Sequence, residues 1–176
     1  LQLLLEIYQQ EKDWSKAIET ARELEGESGE SRQKEIANFY CELAALDATH
    51  SRLTDAKANL DRAIGANRKC VRASIQLGEL LANSGNSEQA IGAWKRIEQQ
   101  QPAYVALVAR RMLECHRTLG RADEGLALLR GYLLQYPSLD LLDVVFQASL
   151  ELNDAESAYR LVKDELRRNP TLLGLD

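Results

Sequence analysis

The sequence predicts an all-α solenoid of about five antiparallel helix pairs, and three observations carry that reading. First, a helix-pair pattern recurs about every 34 residues. It is clearest from Val71 to Pro102, as Leu77-Gly78, Leu81, Gly85, Ala90, Trp94, Ile97 and Pro102. Second, the small residue near the start of each second helix returns in register: Ala17, Ala56, Ala90, Gly125 and Ala158, in steps of 39, 34, 35 and 33 residues. Four positions on, one helical turn away on the same face, stand Ala21, Leu60, Trp94, Leu129 and Val162. Third, the composition favours helix: Ala, Leu, Glu and Arg abound, and the three prolines all fall in the last half. A period of this kind implies a surface that binds rather than a pocket that reacts.

Each element follows from this register. The apolar pattern at the start predicts a helix over 1–10, and the turn signal Lys12-Asp13 separates it from a second over 14–25. The expanded first step is assigned to Gly26-Glu27-Ser28-Gly29-Glu30-Ser31, a polar, turn-rich loop between pairs. Helices over 32–48 and 54–66 then flank Ser51, helices over 70–84 and 87–100 flank Gly85-Asn86, and helices over 103–119 and 122–135 flank Gly120. The last pair, 139–151 and 155–168, flanks Asn153-Asp154. Gly and Asn end helices in the left-handed conformation, and Asn86, Ser87 and Asp154 are candidate caps for the helices that follow. Pro102, Pro137 and Pro170 close repeats because proline cannot continue a helix interior, while Arg68 holds the equivalent place in the second repeat. The repeats are 1–31, 32–69, 70–103, 104–137 and 138–170 of a single domain over 1–176, with 171–176 starting a further helix. The chain is expected to be a piece of a longer protein, because it begins at Leu1 inside a repeat and stops at the threshold of another. Uncapped repeat ends predict exposed apolar surface and self-association.

Chemistry is sparse. A net charge of −5 argues against a nucleic-acid binder, which needs clustered Lys and Arg. No apolar run reaches the roughly 20 residues that cross a bilayer. Cys41, Cys70 and Cys115 lack CxxC spacing and are read as small apolar fillers of helix interfaces rather than a zinc or disulfide framework. His50 is placed at a helix end, and His116 on a packed or solvated helix face. Gly120-Arg121-Ala122-Asp123-Glu124-Gly125 reads as a turn plus a close helix contact, not a phosphate cradle. Carboxylate pairs such as Glu23 with Glu25 or Asp140 with Asp143 read as solvated faces rather than acid–base sites. Trp94 falls on a packing position, Trp14 is expected to cover a neighbouring helix, and Tyr8, Tyr40, Tyr132 and Tyr159 to pack with their hydroxyls outward. No catalytic residue, metal ligand or cofactor site is assigned, and the chain is read as not an enzyme.

The set Leu77-Gly78, Gly85, Ala90, Trp94 and Pro102 resembles the tetratricopeptide-repeat superfamily, whose arrays wind into a right-handed superhelix. Leu113 in place of a small residue, Gly125 in place of alanine and the missing proline near Arg68 depart from the pattern. The resemblance implies a groove lined by the first helix of each pair. Its candidate partner-binding residues are Asn38, Glu42, Arg72, Gln76, Glu79, Arg110, Glu114, Arg117, Asp140, Asp143 and Gln147. Arg110 and Arg117 would make its middle positive, and Asp140 and Asp143 its far end negative, so that a segment of opposite polarity is oriented there. For any one of these residues a plain solvated helix face is the competing reading. Cys41, Ala45 and Gln76 stand where some such domains carry a Lys, Asn and Arg clamp for a chaperone's C-terminal carboxylate, which speaks against that partner.

A narrower resemblance rests on Leu3-Leu4-Leu5-Glu6-Ile7-Tyr8-Gln9, Trp14-Ser15-Lys16-Ala17-Ile18, Glu35-Ile36-Ala37-Asn38-Phe39-Tyr40-Cys41-Glu42-Leu43-Ala44 and Asn169-Pro170-Thr171. These segments are similar to the middle of the lipopolysaccharide assembly protein B family of Gram-negative bacteria. The resemblance implies an adaptor on the cytoplasmic face of the inner membrane that presents the lipid A pathway deacetylase to a membrane AAA protease. It also implies an N-terminal membrane helix and a C-terminal rubredoxin-like metal module with two CxxC pairs in the full-length protein, neither within this stretch, which would hold no cofactor. Two other readings stand beside it: the regulatory repeat arm of an N-acetylglucosaminyl transferase-like protein, and a generic tetratricopeptide scaffold.

Overall fold

The structure, a computed structural model, describes residues 1–168. The expected repeat boundary at Pro170 and helix start over 171–176 lie outside the described residues. Among the described residues the chain is all-α, in five helix pairs: α1 (Gln2–Gln10) with α2 (Trp14–Ser28), α3 (Gln33–Thr49) with α4 (Leu53–Ala66), α5 (Val71–Asn83) with α6 (Ser87–Gln100), α7 (Val105–Thr118) with α8 (Ala122–Gln135), and α9 (Leu139–Glu151) with α10 (Ala155–Arg168). It divides into two compact units, Leu1–Gln101 and the remainder from Pro102. Inside the first unit each helix packs on the next from α1 to α6, and α3 also lies against α5. Inside the second, α7 to α10 pack in the same serial way, with α7 against α9.

The five turns within pairs share one geometry. Lys12, Ser51, Gly85, Gly120 and Asn153 are left-handed, with φ of 57°, 60°, 79°, 70° and 58°. The residue after each donates its N–H five positions back, Asp13 to Tyr8 O, Arg52 to Asp47 O, Asn86 to Leu81 O, Arg121 to His116 O and Asp154 to Ser149 O, all at 2.8–2.9 Å. This is the hydrogen bond that closes a Schellman turn. Four residues later Ala17, Ala56, Ala90, Gly125 and Ala158 donate the first amide of the new helix back to that same residue. All five are buried, and at Gly125 an added Cβ would lie 2.7 Å from His116 Cβ of the preceding helix.

Side-chain packing then fills each unit. In the first, Trp94 is fully buried and its indole N–H donates to Ile75 O at 3.3 Å. Gly78 makes room for it, since a Cβ there would lie 2.1 Å from Trp94 Nε1. Trp14 stacks on Phe39 of α3 at 5.9 Å between ring centroids, the neighbouring-helix contact expected of it. In the second unit Met112, Leu129, Leu133, Leu141 and Val145 form the centre. There Gly125 packs against buried His116, whose Cβ would stand 2.7 Å from an added one.

Several expectations are corrected. The loop expected over 26–31 is partly helix: α2 continues through Gly26 to Ser28, where Ser28 Oγ donates to Leu24 O at 2.7 Å. Left-handed Gly29 ends the helix, its N–H donating to Glu25 O. Residues 102–104 form a 3-10 turn, and α7 begins only at Val105. Asn86 holds the N-cap position of α6 without a side-chain cap bond, whereas Asp154 does accept from Ser157 N at 3.3 Å. In place of a proline near Arg68, Asn67 turns extended, its Oδ1 accepting from Lys69 N at 3.0 Å. Tyr40 is buried and its hydroxyl accepts from Arg22 at 2.8 Å, but Tyr159 is 72% exposed. Its neighbour Ala158 takes the inward position, and the next helical residue turns about 100° away. Apolar side chains are exposed on α1, where Leu3 is 71% and Ile7 39% accessible.

Candidate functional site

First helices present their polar residues at i, i+3 and i+4 spacing, which keeps them on one face. In the first unit α3 supplies Asn38 and Glu42, and α5 supplies Arg72, Gln76 and Glu79. Because α3 and α5 lie side by side, Arg72 Nη1 donates to Glu42 Oε1 at 2.7 Å. That hydrogen bond, before any longer-range attraction, raises the Arg72 pKa. Next to the pair, Gln76 and Glu79 edge a pocket of about 290 Å³ whose floor is Ala44, Ala45 and Ala48 of α3. The hollow exists because those three positions hold methyl groups. Asn38 and Glu79 are exposed and make no side-chain hydrogen bond or ion pair among the described residues.

The second unit repeats the arrangement. Arg110, Glu114 and Arg117 lie on α7, and Asp140, Asp143 and Gln147 on α9. Arg110 pairs with Asp143 at 3.4 Å, and Arg117 pairs with Glu151. Arg110, Glu114, Arg117, Gln147 and Glu151 line a polar pocket of about 250 Å³. Asp140 stands exposed at the first turn of α9, outside that pocket. The basic residues Arg110 and Arg117 stand on α7 and the acidic Asp140 and Asp143 on the neighbouring α9, and Arg110 and Asp143 face each other across the two helices. Glu151 was missed, although it lies four residues beyond Gln147 on the same face and so extends the row by one turn.

These pairs are well exposed, Arg110 and Asp143 by 67% and 58%, so each contributes between nothing and about 1 kcal/mol to stability. Exposed guanidinium and carboxylate groups at fixed spacing can exchange such partners for the backbone or side chains of another polypeptide. No group of three or more His, Cys, Asp or Glu among the described residues is arranged to hold a metal ion. No helix among them is long and apolar enough to cross a membrane.

Paired helices on a 34-residue register with a shared left-handed turn make the fold a tetratricopeptide-repeat α-solenoid. Solved structures agree on the fold. The crystal structure of MamA superposes with a TM-score of 0.57 at 14% identity, covering 95% of each chain. A thermophilic tetratricopeptide-repeat protein of Thermus thermophilus gives 0.50 at 17% identity, over 97% of this chain and 90% of that one. In sequence the chain resembles lipopolysaccharide assembly protein B. It is 28% identical over 173 residues to the Escherichia coli (strain K12) protein, and 28% identical over 175 residues to that of Haemophilus influenzae (strain ATCC 51907 / DSM 11121 / KW20 / Rd). These alignments cover 98% of this chain but 44% and 43% of the relatives, so the chain spans less than half the length of the curated relatives it matches. No family profile matches the chain.

Proposed function

We propose that the chain is a protein-binding scaffold in the control of lipopolysaccharide assembly, holding segments of its partners on the first-helix rows. The observation that carries this reading is the 28% identity to lipopolysaccharide assembly protein B along 98% of the chain. The polar rows suit the task, because exposed Asn38, Glu79, Asp140 and Gln147 offer donors and acceptors beside ion pairs that can open. In this reading the partners are the lipid A pathway deacetylase and a membrane AAA protease. The scaffold brings substrate to protease at the cytoplasmic face of the inner membrane, and the chain itself carries out no reaction.

The test is affinity capture of the intact protein from its own cells, with immunodetection of the protease and the deacetylase. Recovery of both supports the adaptor. Recovery of neither, from a preparation shown to be folded by circular dichroism, overturns it.

A further inference from the structure

Two of the three cysteines, 29 positions apart in the chain, meet inside the first unit: Cys41 Sγ lies 3.9 Å from Cys70 Sγ. Both are free thiols. A disulfide needs its sulfurs at about 2.05 Å, so each must move by roughly 1 Å, a rotamer adjustment rather than a refolding. The two differ in setting. Cys41 is in the middle of α3 and wholly buried. Cys70 is the residue before α5, with non-helical φ of −74° and ψ of 89°, and is 7% exposed. Its position in the connector leaves its backbone freer than that of a residue inside a helix.

The surroundings divide the labour between the thiols. A hydrogen bond from Cys41 lowers the Cys70 thiol below its usual range against the opposing effect of burial, with the Ala73 amide and then the Arg72 guanidinium acting in the same downward sense. The same hydrogen bond and burial push Cys41 upward, so Cys41 keeps its proton. Of the two thiols Cys70 is thus the one whose surroundings favour the thiolate, the form that attacks, with the Cys41 thiol in contact behind it.

We propose that Cys41 and Cys70 are a redox pair that forms a reversible disulfide on exposure to a hydroperoxide, fastening α3 to the start of α5. The Cys70 thiolate attacks one oxygen of hydrogen peroxide. The O–O bond breaks, leaving a sulfenic acid on Cys70 and a hydroxide that takes a proton to become water. Cys41 sulfur then attacks Cys70 sulfur. The S–S bond forms as the S–O bond breaks, and the Cys41 proton leaves with the departing hydroxide as a second water. Two electrons pass from the sulfurs to the peroxide, and a dithiol reverses the step by exchange.

The whole chain is treated with hydrogen peroxide, denatured, alkylated with iodoacetamide and mapped by mass spectrometry without reduction. The expected result is a linked peptide pair containing Cys41 and Cys70, alkylation at Cys115, and recovery of all three thiols after dithiothreitol. The melting midpoint of the oxidised form should rise by about 5–10 °C, from closure of the intervening loop. The wild-type sequence suffices, so no variant's folding is at issue. The Cys115→Ala variant should give the same linked pair, and Cys41→Ala should give no internal link. Three alkylated thiols after treatment, a link through Cys115 or between chains, or accumulation of sulfinic acid in the wild type would each overturn the assignment.

Discussion

Gly78 and Trp94 fit closely where α5 packs on α6. A methyl group at Gly78 would lie 2.1 Å from Trp94 Nε1 and 2.4 Å from Cε2, so the indole or the helix must move. Gly78→Ala is therefore expected to destabilise by about 2–3 kcal/mol of overpacking, despite alanine's better helix propensity. Gly92, mid-helix in α6, would have nothing within 4 Å of an added Cβ, so Gly92→Ala should instead stabilise by up to about 1 kcal/mol. Urea melts of the two variants check the sign. Residue types revealed part of this: Leu77-Gly78 and Trp94 both read as packing positions from the repeat register alone. What the sequence did not disclose is who meets whom. The proximity of Cys41 to Cys70 depends on α3 lying beside α5, and no local spacing rule encodes a contact between side chains 29 positions apart.

At the scale of elements, the turns were the most legible feature, because a left-handed residue is required at one fixed place in each pair. Gly85 meets that need without strain, but Ser51 at φ 60° carries a Cβ in a conformation that costs roughly 1–2 kcal/mol. Ser51→Gly should gain about 0.5–1 kcal/mol in thermal or urea unfolding, and Gly85→Ala should lose about 1 kcal/mol. The extent of α2 was less legible. Gly26 and Ser28 favour turns, yet the Ser28 hydroxyl bonds back to Leu24 and the left-handed stop comes only at Gly29. The turn before α10 also has a pH signature. Bonding to Ser157 and then to Arg130 holds the Asp154 carboxyl below its usual 3.8. A depressed folded-state value means that this support is present above 3.8 and is lost as pH falls through the lower folded value. The Ser157 amide resonance should titrate below pH 3.8, and Asp154→Asn should abolish that titration.

For the whole molecule, the question is whether the first-helix rows read a partner or merely decorate the surface. Reversing Arg110 and Arg117 alone would confuse the two, because like charges would then face Asp143 and Glu151. Exchanging both members of a pair avoids this. Arg110→Asp with Asp143→Arg keeps opposite charges across α7 and α9 while inverting the pattern presented to a ligand, and Glu42→Arg with Arg72→Glu does the same on α3 and α5. Since exposed pairs contribute little to stability, each exchanged protein should melt within about 0.5 kcal/mol of the wild type. Binding should behave differently, because recognition depends on the order of the charges and a misplaced charge opposes its counterpart. Affinity measured with the intact protein and its captured partner should fall at least about tenfold for the exchange in whichever unit holds the segment, which is roughly 1.4 kcal/mol. Loss in one exchange alone assigns the segment to that unit, and loss in both assigns it to each. Wild-type affinity in both, with melting unchanged, would make the rows solvated helix faces and move the search to the apolar face of α1, where Leu3 and Ile7 stand exposed.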